Sequence, residues 1–98
     1  MAGEITLHIV TPTARLLSTR VDEVVIPAAK GDMGILPGHT PILTFLGVGL
    51  LTYVKEGTSH SLSIKQGFAE VKNDEVIILT DQAFKPGEVD AELAEGDG

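Results

Sequence analysis

Three histidines, His8, His39 and His60, are the side chains in this sequence suited to hold a metal or move a proton near neutral pH. Each needs partners to do either. Neither His8 nor His60 has a second His, a Cys or a Glu at metal-ligand spacing, and a metal site requires converging ligands. His8 stands on the parity opposite Ile5, Leu7 and Ile9 and reads as a solvent-facing strand residue. His60 opens a strand and reads as a rim residue. His39 follows a Pro37-Gly38 corner, where it could order the turn through a hydrogen bond or meet a partner, because loops on rigid scaffolds often carry function. Asp32 and His39 together could be imagined as a small hydrolase or metal site. Nucleophilic catalysis, however, needs a nucleophile oriented by its base, and the sequence has no Gly-x-Ser-x-Gly elbow and no cysteine. Gly31-Asp32-Met33-Gly34 is too short, and too far from any helix start, to cradle a phosphate. The residues name no catalytic, cofactor-binding or metal-binding site.

The stretch that must position these side chains runs from Gly31 to Pro41. Two glycines bracket Asp32 and Met33, and Pro37-Gly38 follows after Ile35 and Leu36, so the backbone turns, runs briefly extended and turns again. Apolar runs at Val21–Ile26 and Ile42–Leu46 flank it and would anchor both corners to a sheet. Asp32 and Met33 place an acidic and an apolar side chain next to each other. Met33 either offers adaptable packing to a partner or folds back onto the core. Exposed pairs such as Asp22-Glu23 and Glu70-Lys72 read as solvated strand faces.

The rest of the chain reads as short strands. Ile5, Leu7 and Ile9 alternate with polar positions, and Thr11-Pro12-Thr13 ends that run. A second extended segment is expected from Leu16 to Ile26, closed by Pro27, which lacks a donor for the ladder. Leu50–Lys55 and the Leu62/Ile64 alternation should pair across a Glu56-Gly57-Thr58 hairpin, with Gly47-Val48-Gly49 as a turn or bulge before them. Gly67 is expected to mark a bulge or bend, and Asn73-Asp74 a two-residue hairpin turn, since both of the latter residues tolerate positive φ. Val76–Thr80 is apolar on both parities and reads as a central strand. Turn signals this frequent, without helical spacing before Asp81, imply an all-β sandwich or barrel. Residues 1–84 form the expected β domain. Residues 85–98 form a tail in which Glu88–Glu95 could start a short helix.

The chain has 98 residues, 43% of them hydrophobic, and a formal net charge of -7. That size fits one core. The charge and the scattered basic residues disfavour nucleic acid, which is bound through clustered Lys and Arg. The apolar run Ile42–Leu51 is far short of the roughly 20 residues of a membrane helix, so no direct membrane insertion is expected. The N-terminus lacks a basic region followed by an apolar block, which makes a cytoplasmic address the expectation.

Residues Ile35-Leu-Pro-Gly-His-Thr-Pro-Ile-Leu-Thr44, preceded by the glycine-framed acidic loop, resemble the N-terminal domain of the epsilon subunit of the F-type ATP synthase. Leu7–Pro12, Gln66–Val71 and Val76–Asp81 extend the resemblance in the family's order, from Ile5 to about Ala83. The resemblance implies a flattened β-sandwich of two antiparallel sheets with about ten strands. It implies a non-catalytic rotor subunit, without cofactor, that joins the gamma subunit to the c-subunit ring below the catalytic head and transmits rotation driven by proton or sodium flow. The implied address is peripheral, on the cytoplasmic face of a bacterial inner membrane. Carried over residue by residue, Gly31, Asp32, Met33 and Gly34 correspond to the loop facing the c ring. Thr11, Pro37, Gly38, His39 and Thr44 correspond to positions at or near the gamma interface. Most members continue into a two-helix hairpin, which in some bacteria binds ATP through an Ile/Leu-Asp-x-x-Arg-Ala motif and can insert into the head to inhibit hydrolysis. Here Val89-Asp90-Ala91-Glu92-Leu93-Ala94 puts leucine where that motif has arginine, so neither specific ATP binding nor inhibition by helix insertion is expected, the hairpin being absent or truncated. The competing reading is a stand-alone β-sandwich adaptor or ligand-binding domain.

Overall fold

The computed structural model describes residues 4–84. The tail and the helix expected within it lie outside the described residues. Ten strands follow one another: β1 (Ile5–Thr11), β2 (Ala14–Val21), β3 (Glu23–Ala28), β4 (Gly31–Ile35), β5 (Ile42–Leu46), β6 (Gly49–Lys55), β7 (Thr58–Ile64), β8 (Gly67–Lys72), β9 (Glu75–Thr80) and β10 (Ala83–Phe84). They form one hydrogen-bonded path, β10-β7-β6-β3-β5-β8-β9-β1-β2, with β4 added to β3. The path folds over at β3–β5, where only Ala28 and Leu46 pair, and so makes two walls of a sandwich. β2, β1, β9, β8 and β5 form one wall; β10, β7, β6, β3 and β4 form the other. At the far edge, the Asp22 N–H donates to the Val54 carbonyl at 2.7 Å and Lys55 Nζ donates to Thr19 Oγ1, so β2 is tied back to β6.

Alternation fills the space between the walls. Ile5, Leu7 and Ile9 of β1, Ala69 and Val71 of β8, and Val76 and Ile78 of β9 from one wall meet Val24 and Ile26 of β3, Leu51 of β6, and Leu62 and Ile64 of β7 from the other in a single apolar cluster. Each such Leu, Ile or Val side chain contributes about 1.5–3 kcal/mol through its removal from water. Two turns use left-handed backbone at both central residues, Glu56-Gly57 (φ 52° and 80°) and Asn73-Asp74 (φ 52° and 59°), which matches strand twist in two-residue hairpins.

Four features differ from the expectations or narrow them. The segment from Leu16 to Ile26 is two strands, because Val21 and Val24 are both buried and three residues apart, so the parity breaks at Asp22 and the chain changes walls. Pro27 lies inside β3, buried and opposite Asp32. It is accommodated because β3 pairs with β6 only from Glu23 to Val25 and with β5 only at Ala28, so Pro27 falls where its edge changes partner and needs no donor. Of the bulge or bend expected at Gly67 only the bend is found: the chain bends at Gln66, while the pairing of β8 with β5 and with β9 runs in unbroken register. Finally, the pairs are antiparallel except for β1 and β9, which run parallel, a neighbour relation that a long crossover permits and a hairpin does not.

Candidate functional site

The Gly31–Gly34 knuckle belongs to the β3–β4 hairpin. Gly31 opens β4 with φ +133°, a conformation that side chains avoid, and pairs with Ala28 across the turn at Ala29-Lys30. Gly31, Asp32 and Gly34 are exposed, whereas Met33 packs against the core cluster. The exposed surface of the knuckle is therefore Asp32 flanked by glycine backbone, with exposed Lys30 beside it.

At the other end of β4 lies the second corner. Leu36, Pro37, Gly38 and His39 form a turn closed by His39 N–H donating to the Leu36 carbonyl at 3.1 Å. Proline in the second place and glycine at φ +86° in the third meet the needs of a type II turn. His39 Nδ1 lies 2.7 Å from the carbonyl oxygen of Thr40. Leu36 is exposed and Pro37 half-buried.

Thr11 and Thr44 do not join this corner. Thr44 lies on β5 with inward parity, in a groove it shares with Lys30, Gly31, Asp32 and Met33. Thr11 lines an open groove of about 770 Å³ with Pro12, Phe45, Phe68 and Leu79. The five residues grouped by resemblance thus divide. Pro37, Gly38 and His39 sit near the Asn73-Asp74 hairpin, and Thr11 sits where β9 ends and β8 begins.

Between these places lies a surface that the sequence reading did not single out. Phe45, Phe68, Leu79 and Val10 are successive partners across β5, β8, β9 and β1, all on the outer face of one wall. Leu43, Glu70, Ile77 and His8 form the next row. Leu43 is 69% exposed, Phe45 66%, Leu79 45% and Phe68 42%, and the two phenylalanine rings lie 5.1 Å apart. Apolar side chains gathered on one open sheet face mark an interaction surface. The available signal was Val76–Thr80 itself: a strand apolar on both parities has two faces to cover, and the described residues cover one.

The remaining histidines act locally. His8 bridges strands, its Nδ1 2.9 Å from Ser18 Oγ on β2 and its Nε2 3.8 Å from a Glu75 oxygen on β9. His60 stacks on Tyr53 with ring centroids 4.9 Å apart. Among the described residues no three His, Asp or Glu side chains gather into a metal-binding group, and no helix is long and apolar enough to cross a membrane.

Residues 4–86 match the family described as ATP synthase, delta/epsilon chain, beta-sandwich domain. The ATP synthase epsilon chain of Citrifermentans bemidjiense is 44% identical over 94 residues, covering 96% of this chain and 68% of that one. The epsilon chain of Carboxydothermus hydrogenoformans is 40% identical over 95 residues, covering 97% and 71%. A chain in the mitochondrial ATP synthase of Euglena gracilis, solved as OSCP, F1 and c-ring, superposes with a TM-score of 0.85 at 31% identity, covering 96% of this chain and 61% of that one. A chain of the Tetrahymena thermophila central stalk and c-ring shares the fold, with a TM-score of 0.72 at 17% identity over 90% of this chain and 71% of that one. With a match across its whole described sandwich and relatives above 40% identity, the chain belongs to the ATP synthase delta/epsilon family, of which it carries the β-sandwich domain.

Proposed function

We propose that this chain is a non-catalytic central-stalk subunit of a bacterial, proton- or sodium-translocating ATP synthase. In that role it joins the gamma subunit to the c-subunit ring, on the cytoplasmic face of the inner membrane, and passes rotation toward the catalytic head. The observation that carries the reading is the likeness to the Euglena chain, which belongs to an assembly of F1 and c-ring. The molecule's physics supports it. Two walls locked over one core resist twisting, and the exposed contact residues sit on the strands of those walls or on the short Pro37-Gly38 corner rather than on long loops.

In this reading the gamma subunit covers the apolar face of Leu43, Phe45, Phe68 and Leu79 and meets the Pro37-Gly38-His39 corner, with Thr11 and Thr44 at the margins. The c ring meets Gly31, Asp32 and Gly34, with Met33 bracing the knuckle from inside. Residues 1–84 are the working unit and residues 85–98 a separate tail. Leu93 cannot donate to a phosphate, so Val89–Ala94 provides no arginine for ATP.

Titration of the chain with purified gamma subunit tests the reading. Phe45→Ser and Leu79→Ser remove exposed side chains and should leave the melting temperature near that of the parent. Each should weaken gamma binding by about 30-fold, as expected of a contact worth about 2 kcal/mol at the centre of an interface. A chain that ignores gamma at micromolar concentration would return the molecule to the adaptor or ligand-binding reading.

A further inference from the structure

The type II turn at Leu36–His39 uses the His39 N–H for its own closure, but the Gly38 N–H points away from the turn and needs a partner elsewhere. That partner is Asp74, 36 residues further along the chain, whose Oδ1 accepts from Gly38 at 2.7 Å. Asp74 is itself fixed. It is the second residue of the Asn73-Asp74 hairpin turn, with φ 59°, and its backbone carbonyl accepts from Thr6 N–H at 2.9 Å. One residue therefore joins the corner to the β8–β9 hairpin and to the start of β1. A carboxylate accepting from an amide is among the stronger hydrogen bonds available.

We propose that Asp74 is a positioning residue for partner recognition: its carboxylate clamps Gly38 and so sets where Leu36 and His39 stand when the gamma subunit docks. This rests on the stalk reading above. The corner is a short link between β4 and β5, and Leu36 on it is 57% exposed. Without the clamp, binding would have to order the corner at the moment of docking, and ordering of that kind is a direct subtraction from affinity. With it, the corner is already placed by the rigid wall beneath.

Asp74→Gly removes the carboxylate, permits the same positive φ, and puts an Asn-Gly pair in the turn, the combination two-residue hairpins favour. Asp74→Asn keeps an oxygen acceptor at a residue type that tolerates this backbone. Gamma binding is titrated for the parent and both variants, alongside thermal melting and the hydrogen exchange of the Gly38 amide. The expected result is a protected Gly38 amide in the parent, loss of that protection in Asp74→Gly, and about tenfold weaker gamma binding at a nearly unchanged melting temperature. Asp74→Asn should return binding to within about threefold of the parent. A merely structural role would move the melting temperature and spare the binding. The proposal is overturned if the parent's Gly38 amide exchanges freely, if Asp74→Gly binds gamma as the parent does, or if Asp74→Asn binds as weakly as Asp74→Gly. Failure of the parent to bind gamma at all would instead remove the stalk reading, and this inference with it.

Discussion

A methyl group placed on Gly67 would sit 1.9 Å from the Leu79 carbonyl oxygen and 2.8 Å from Thr80 Cα. Both atoms are backbone of β9, the strand that pairs with β8 on one side and β1 on the other, so neither can yield without moving a ladder. Gly67→Ala should therefore cost about 3 kcal/mol, the upper part of the overpacking range, and lower the melting temperature by more than about 10 °C in a domain this small. Gly34 is the contrast. Nothing lies within 4 Å of a Cβ built there, and its φ lies outside the left-handed region. Gly34→Ala should stay within about 0.5 kcal/mol of the parent in the same melting experiment. Two glycines that look alike in sequence thus separate into one that the fold needs and one that the fold leaves free for contact.

Among the elements, hairpins were the most legible, because Asn73-Asp74 and the glycine of Glu56-Gly57 carry their backbone demand in their residue types. Glu56 meets that demand poorly: it holds φ 52° without the local hydrogen bonding that lets Asn adopt it. Glu56→Asn should stabilise the domain by about 0.5–1 kcal/mol, read as a rise of several degrees in melting temperature. An unchanged or lower value would mean that the Glu56 side chain contributes something the turn geometry does not show. The strand alternations of β1 and β7 were equally readable, since each has one face on the core. Legibility failed where the chain changes walls. Asp22 carries no Gly or Pro to announce the corner, and the parity break between Val21 and Val24 is visible only when both are known to be buried. Pro27 misled because a proline inside a strand is acceptable only where the strand's edge is between partners, a fact of topology. The outer face of β9 failed for another reason. Hydrophobic patterning reports that Leu79 wants cover, without reporting whether this chain or a second one provides it.

For the molecule as a whole, the division of labour is between a stiff body and exposed margins. Asp32 lies on β4, exposed, and its neighbour Met33 provides the contact with the core. Stability and contact are therefore separable at this point in a way they are not at Gly67. Asp32→Lys in the assembled ATP synthase should change the domain's own melting temperature by no more than about 2–4 °C, the range of an exposed substitution. If the knuckle faces polar loops of the ring that complement its negative charge, the same reversal sets like charges against each other, a change that can cost several kcal/mol across an interface. ATP-driven proton pumping should then fall by more than half while ATP hydrolysis by the head continues, which is the mark of a slipping coupling rather than a lost subunit. Equal losses of pumping and of domain stability would reject a dedicated contact at Asp32. Unchanged pumping would move the ring contact elsewhere, and the Lys30 side of the hairpin would be the next place to look.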